Sequence, residues 1–252
     1  MSWGTKRRNL ILFTLFLFIF IPVSFIAFLI FYNPPSCFDL KQNGDEQGID
    51  CGGSCQLVCT NQAFDPVVLW ERYFRIDDGI YNVLAYIENP NPTAEIVQAE
   101  YVFKLFNEEN VLIAEKPGTI TFAPKSVRPI IETGLITEKQ VPTRVSFEFT
   151  KPFTFEKKDP KDAIVIIKEE TIENEKTSPR VKAAIQNISL QRLRNIEVVV
   201  IIYDSFDNVL GTSSTFVPDL GPEESKDIVF TWPQPFIEDS LRIEVIPIYD
   251  FN

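Results

Sequence analysis

Residues 195–204 read NIEVVVIIYD. On an extended chain Ile196, Val198, Val200 and Ile202 fall on one side, and Glu197 falls on the other. β-Branched and aromatic residues at this density favour a strand. The same character recurs in AEYVFKLF (99–106), NVLIAE (110–115), TRVSFEF (143–149), DIVFTW (227–232) and LRIEVIPIYD (241–250), with turn residues between the runs. From about Phe64 onward no stretch carries a helical period. This pattern predicts an all-β region built as a sandwich.

The region also resembles itself. Val83, Ala85, Ile87 and Asn89 match Val181, Ala183, Ile185 and Asn187 at an offset of 98. Asn110-Val111-Leu112 with Asn208-Val209-Leu210, Pro124 with Pro222, Ile130 with Ile228 and Val145 with Ile243 keep that offset. One strand fits better at 97, setting Ala99, Tyr101, Phe103 and Leu105 against Ile196, Val198, Val200 and Ile202. That change asks for an extra residue in the second copy's turn (SFDN against EEN) and one fewer in the loop before the strand. Two copies of a domain of about a hundred residues are expected. They meet near the charged link KKDPKD, residues 157–162. The inward residues are expected to be Val83, Ala85, Ile87, Tyr101, Phe103 and Leu105, then Val181, Ala183, Ile185, Val198, Val200 and Ile202. Glu100, Glu148, Glu197 and Glu244 are expected to face water.

Ahead of the strands, Leu10 to Tyr32 is free of charge: LILFTLFLFIFIPVSFIAFLIFY. As a helix it rises about 34 Å, enough for a hydrocarbon core of about 30 Å. Pro22 is expected to kink it, and Trp3 and Tyr32 to mark the two interfaces. Lys6, Arg7 and Arg8 precede the span, and the first charge after it is Asp39. The positive-inside rule places the N-terminus in the cytoplasm and the C-terminus outside. A cleaved signal peptide fits less well, because the apolar run is long and FYNPPSC offers no small-residue cleavage site. A lipoprotein reading fails at the same place.

Removing the anchor's three basic residues leaves 21 Lys+Arg against 35 Asp+Glu, a net charge of −14. That balance argues against nucleic acid or anionic lipid as a partner of the outer region. The chain has no histidine. Ser-His-Asp and Cys-His catalysis and histidine-ligated metals are therefore excluded. No catalytic residue is assigned. The four cysteines, Cys37, Cys51, Cys55 and Cys59, lie within 23 residues and read as two disulfides with three possible pairings. Asp39, Asn43, Asp45, Glu46 and Asp50 crowd the loop between them. They read either as a calcium site or as Asx turn chemistry. No other cofactor is expected. Asp204 and Asp207 beside Asn208 read as a hairpin turn, and Asn89 and Asn187 as turn formers at strand ends. Asn187-Ile188-Ser189 is a sequon only in a glycosylating host. Trp70 and Trp232 read as core or edge residues of the sandwiches.

Two resemblances add to this. Cys37, Asp39, Asn43, Glu46, Gly48, Asp50, Cys51, Gly52, Gly53 and Cys55 match the motif C-x-D-G-x-x-N-x-x-E-x-G-x-D-C-G-G-x-C, which many bacterial surface proteins carry; Leu40 replaces its glycine. The resemblance implies an extracytoplasmic bacterial protein. Residues 163–252 resemble the FxLYD domain, an immunoglobulin-like sandwich of bacterial envelope proteins. The motif strand reads VIIYD, with Val200 and Ile202 for Phe and Leu, and QNIS and LGPEES supply the flanking turns. The first copy carries FKLFN at the same place. The related CARDB sandwich is a competing resemblance. Either implies a binding or spacer module, not an enzyme.

The expected fold class is all-β, two tandem Ig-like β-sandwiches on one N-terminal transmembrane helix. Residues 1–9 form a cytoplasmic stub, 10–32 the span, 33–62 a disulfide-stapled collar, 63–158 the first sandwich and 159–252 the second. The expected function is structural or adhesive, with lipid contacted through residues 10–32 and another envelope or surface protein as partner. A carboxylate-dependent envelope hydrolase, or a ligand-sensing ectodomain acting through a partner, are the alternatives.

Overall fold

The computed structural model describes residues 3–31, 35–160, 164–236 and 242–249. Tyr32 and the linker residues Lys161 and Asp162 lie outside the described residues, as do the first residues of the collar, 33–34. The chain divides into two compact units, residues 1–55 and 56–252.

In the first unit, helix α1 covers Trp3–Phe31 with Pro22 inside it. Residues Arg7–Leu29 form a 23-residue stretch long and apolar enough to cross a membrane, and none of it is buried. Thr14 turns its hydroxyl back to the Ile11 carbonyl at 2.9 Å, so that polar group is satisfied locally.

Among the described residues, the strands of the second unit all pair antiparallel. Seven strands form the first sandwich: β1 (Val67–Asp77), β2 (Ile80–Asn89), β3 (Ala94–Phe106), β4 (Leu112–Phe122), β5 (Ser126–Ile136), β6 (Arg144–Phe149) and β7 (Thr154–Lys157). One sheet runs β1-β2-β5, and the other runs β4-β3-β6 with β7 also on β3. Among the described residues, six strands form the second: β8 (Val165–Glu173), β9 (Arg180–Asn187), β10 (Leu193–Tyr203), β11 (Val209–Leu220), β12 (Ser225–Thr231) and β13 (Arg242–Ile248). Its sheets run β8-β9-β12 and β11-β10-β13. First, second and fifth strands share one sheet, and third, fourth and sixth the other, in both sandwiches.

All twelve residues expected to point inward are buried, ten of them with no measurable exposure. They fill two separate cores. Phe103, Phe122 and Phe147 anchor the first, and Ile185, Ile202 and Phe230 the second. Alternation along a pleated strand delivers them because successive side chains leave opposite faces.

The pairing register corrects one expectation. Leu105 pairs with Ala114 in the first sandwich, and Ile202 with Gly211 in the second, both 97 apart. The turns have equal length, closing from the Asn107 N–H to the Val111 carbonyl and from the Asp204 N–H to the Asn208 carbonyl. No residue is added there. Ile196 still pairs with Val217 as Ala99's counterpart would require, but Leu193 pairs with Leu220 where Ile96 pairs with Phe122. The additional residue therefore sits inside β11, between Val217 and Leu220.

Candidate functional site at the junction of the sandwiches

Strand β10 is apolar on both faces. Val198, Val200 and Ile202 enter the second core, while Val199, Ile201 and Tyr203 join Leu84 of β2 in a third buried cluster. Trp70, Phe74 and Ile131 of the first sandwich and Ile246 and Ile248 of the second pack around it. The sheets β1-β2-β5 and β11-β10-β13 thus press face to face. Each middle strand has core on both sides, the arrangement that calls for a continuous apolar run.

This corrects the expectation that Glu197 and Glu244 face open water. Glu244 Oε1 accepts the Tyr86 hydroxyl at 2.9 Å across the junction, and its Oε2 accepts the Tyr203 hydroxyl at 2.8 Å. Burial, reinforced by the Glu244 charge, pushes both tyrosine hydroxyls up. Trp70 stacks on Tyr86 with centroids 5.2 Å apart. The Arg242 guanidinium lies over the Tyr203 ring and bonds Asp207 at 3.0 Å. Glu100 and Glu148 do meet solvent, each paired to a lysine at 2.7 Å.

Beside this cluster is an open cleft of about 570 Å³, lined from the first sandwich by Thr119, Thr121 and Arg128 and from the second by Glu197, Ser214 and Phe216. Desolvation pushes the Glu197 carboxyl up, opposed by the Arg128 charge and a hydrogen bond from Ser214. An acid whose folded pKa is raised holds its proton longer in the folded state. Stability therefore falls as pH rises from the ordinary glutamate range through the raised value. Glu197→Gln is expected to raise the melting temperature at pH 7 and to leave it nearly unchanged at about pH 3.5, where the glutamate is neutral in both states. Calorimetry at the two pH values measures this; an equal shift at both would place the effect elsewhere.

The buried polar groups form a second recurring arrangement. Asn89 and Asn187 are fully buried. The Asn187 amide donates to the carbonyls of Gln191, Leu220 and Gly221, at 2.7, 3.3 and 2.9 Å. Its Oδ1 accepts the Ser189 N–H and hydroxyl. Asn89 donates to Ala94, Phe122 and Ala123 and accepts from Asn91. Both do more than form a turn: each ties the loop after its strand to the next inter-sheet connection. The Asn187 sequon is closed in the folded state, because its amide nitrogen is inside. Asp204 Oδ1 accepts the Phe206 and Asn208 N–H groups, and Asn107 Oδ1 those of Glu109 and Val111, so these side chains close equivalent hairpins. Trp232 is buried in the second core, its indole N–H donating to the Thr212 carbonyl.

In the collar Cys37 is bonded to Cys55, and Cys51 and Cys59 are also in disulfide form. Four of the five calcium candidates accept hydrogen bonds locally, while the Asn43 Oδ1 is buried without a partner among the described residues. Asp50 accepts the Asp39 and Leu40 N–H groups, Asp39 accepts the Lys41 N–H and the Asn43 amide, Glu46 accepts the Asn43 and Asp50 N–H groups, and Asp45 accepts the Ser54 hydroxyl. Among the described residues, the grouping whose donor atoms converge is Cys37, Glu46 and Cys55, and its two sulfurs are already joined. Gln56 to Val58 lie in the second unit, along β7: the Val58 N–H donates to Phe155 and the Lys157 N–H to Gln56.

A hollow on the outer sheet of the first sandwich brings together Glu95, Glu100 and Glu156 with Lys151 and Lys158. Glu100 pairs with Lys151 and Glu95 with Lys158, so two of its three carboxylates are matched by an ammonium.

No protein-family model and no curated protein sequence matches the chain. Among solved structures, a red sea bream transglutaminase aligns over 71% of this chain and 30% of its own, at 8% identity and a TM-score of 0.25. A β-glucuronidase of glycoside hydrolase family 2 aligns over 69% of this chain and 24% of its own, at 11% identity and a TM-score of 0.24. This chain spans under a third of either enzyme, and likeness at that level carries no argument about fold or activity.

Proposed function

We propose that the chain is a membrane-anchored structural or binding protein, presenting two joined β-sandwiches outside the cytoplasm as an adhesion module or a subunit of an envelope complex. The observation that carries this reading is the buried junction of Leu84, Val199 and Ile201. It makes the pair of sandwiches one body with fixed outer surfaces. Rigid presentation lowers the entropic cost of binding, which is what a surface module needs. The apolar helix is the anchor, and the Lys6-Arg7-Arg8 flank sets its orientation. The disulfides suit an oxidising compartment. The matched turns closed by Asn107 and Asp204, and the matched Asn89 and Asn187 networks, support two copies of one unit of FxLYD or CARDB type. The cysteine motif supports a bacterial envelope. The carboxylate hydrolase is the weaker reading, because two of the three carboxylates in the hollow that gathers them are paired to lysines.

Protease applied to intact spheroplasts is expected to remove the outer region and leave a membrane-protected N-terminal fragment. Protection of the C-terminal sandwich would overturn the orientation. Crosslinking in the native membrane, followed by pull-down of the full chain, is expected to recover an envelope protein; turnover of a glycoside or peptide substrate that is abolished by Glu95→Gln or Glu156→Gln would favour the hydrolase instead.

A further inference from the structure

The Glu46 side chain is held at both ends. Its Oε2 accepts the Asn43 N–H at 3.2 Å and the Asp50 N–H at 3.3 Å. Its Oε1 lies 3.4 Å from Cys55 Sγ. Cys55 is disulfide-bonded to Cys37, so its sulfur carries no proton to donate, and the contact is between a carboxylate and a disulfide sulfur. Cys55 is 1% exposed, whereas Cys37 is half-buried. Two backbone N–H groups thus fix a carboxylate against the sequestered sulfur of a disulfide that solvent approaches from the other side.

We propose that Glu46 is an electrostatic guard of the Cys37–Cys55 disulfide, slowing its reduction by thiols. A thiolate of a dithiol reaches Cys37 Sγ and forms a mixed disulfide with it. The Cys37–Cys55 bond breaks, and Cys55 leaves with the electron pair as a thiolate. The second thiolate of the reagent then displaces Cys37, and the reagent departs as a cyclic disulfide, so the protein gains two electrons and, on protonation, two protons. Leaving is faster for a more stable thiolate. A fixed negative charge beside the departing sulfur makes that thiolate less stable. It also repels an anionic nucleophile on its way in. Unit charges a few ångströms apart near a protein surface shift such a step by about tenfold or more. Reduction would free this segment, which has few apolar residues of its own and depends on its crosslinks for order.

The test uses the full-length protein in detergent micelles, with reduction by dithiothreitol quenched by alkylation and Cys55 followed by peptide mass. Glu46→Gln keeps an oxygen for the two backbone N–H groups and removes the charge. It is expected to be reduced about tenfold faster at Cys37–Cys55, with the amide-exchange protection of Asn43 and Asp50 retained. An unchanged rate overturns the proposal. Faster reduction with that protection lost also overturns it, leaving Glu46 as a brace of the loop. A second measurement needs no variant: at equal thiolate concentration, cationic cysteamine is expected to outpace anionic mercaptoethanesulfonate on the wild-type disulfide, and equal rates would overturn the guard.

Discussion

Ile201→Asp is expected to unfold the paired sandwiches under conditions where the wild-type protein is fully folded. Ile201 has no exposure, and its neighbour across the junction, Leu84, has none either. Truncating such a side chain costs about 2–5 kcal/mol through lost transfer energy and a residual cavity. Leaving an unpaired carboxylate in that space adds several kcal/mol more. The sum approaches the whole stability of an ordinary domain, about 5–15 kcal/mol. Ile201→Ala removes only the first contribution and is expected to lower the melting temperature by roughly 5–20 °C. Val141→Asp, at a site 67% exposed, is the control and is expected to stay within about 0.5 kcal/mol of wild type. Denaturant melts of the three variants decide the matter; if Ile201→Asp melted with Val141→Asp, the junction would not exist in solution. For the same reason residues 164–252 expressed alone are expected to aggregate, since Val199, Ile201, Ile246 and Ile248 would then face water.

Asn187→Ala is expected to produce the second-largest loss. Three backbone carbonyls and the Ser189 N–H lose a side-chain partner in one substitution. A buried polar group left unpaired costs about 1–3 kcal/mol. With partial relaxation of the loop, the total is expected to be about 3–5 kcal/mol by the same bookkeeping. Asn187→Asp is expected to be worse than alanine, because it turns a carboxylate oxygen toward carbonyls that need a donor. Asn89→Ala should behave alike in the first sandwich. Denaturant midpoints order the three; an Asp variant as stable as wild type would mean that the amide does not hold these carbonyls.

Much of this architecture is legible in the residues. The alternation in RVKAAIQN places its apolar residues correctly because a half-buried strand has a period of two and nothing competes with it, and the same period places Val83, Ala85 and Ile87 of NVLAYIEN in the first core. The junction is harder to read. Glu197 and Glu244 suggest a wet face, yet the unbroken run Val198 to Tyr203 is the pattern of a strand covered on both sides. Leu84 and Tyr86 in β2 carried the complementary signal, being apolar on the face opposite Val83 and Ala85. The asparagines look like turn formers locally, since no local pattern distinguishes a turn from a buried tether. Their recurrence at one offset was the available clue. The acidic collar loop was ambiguous for a different reason: oxygens that satisfy backbone N–H groups and oxygens that bind a cation are the same residue types at the same spacing.

The covered junction also has a consequence in time. Sheet β1-β2-β5 is complete in covalent terms once Ile136 has been made, but the strands that cover its outer face end at Ile248. At about 5–20 residues per second, the roughly 110 residues between them take on the order of 5–20 seconds to synthesise. For that interval Leu84, Trp70 and Phe74 form a bare apolar surface on a nascent chain. A chain that emerges across a membrane meets this delay on the far side. The step most exposed to misassembly during biogenesis is therefore the late docking of β10 and β13, and a holding factor would be needed there more than at any earlier strand.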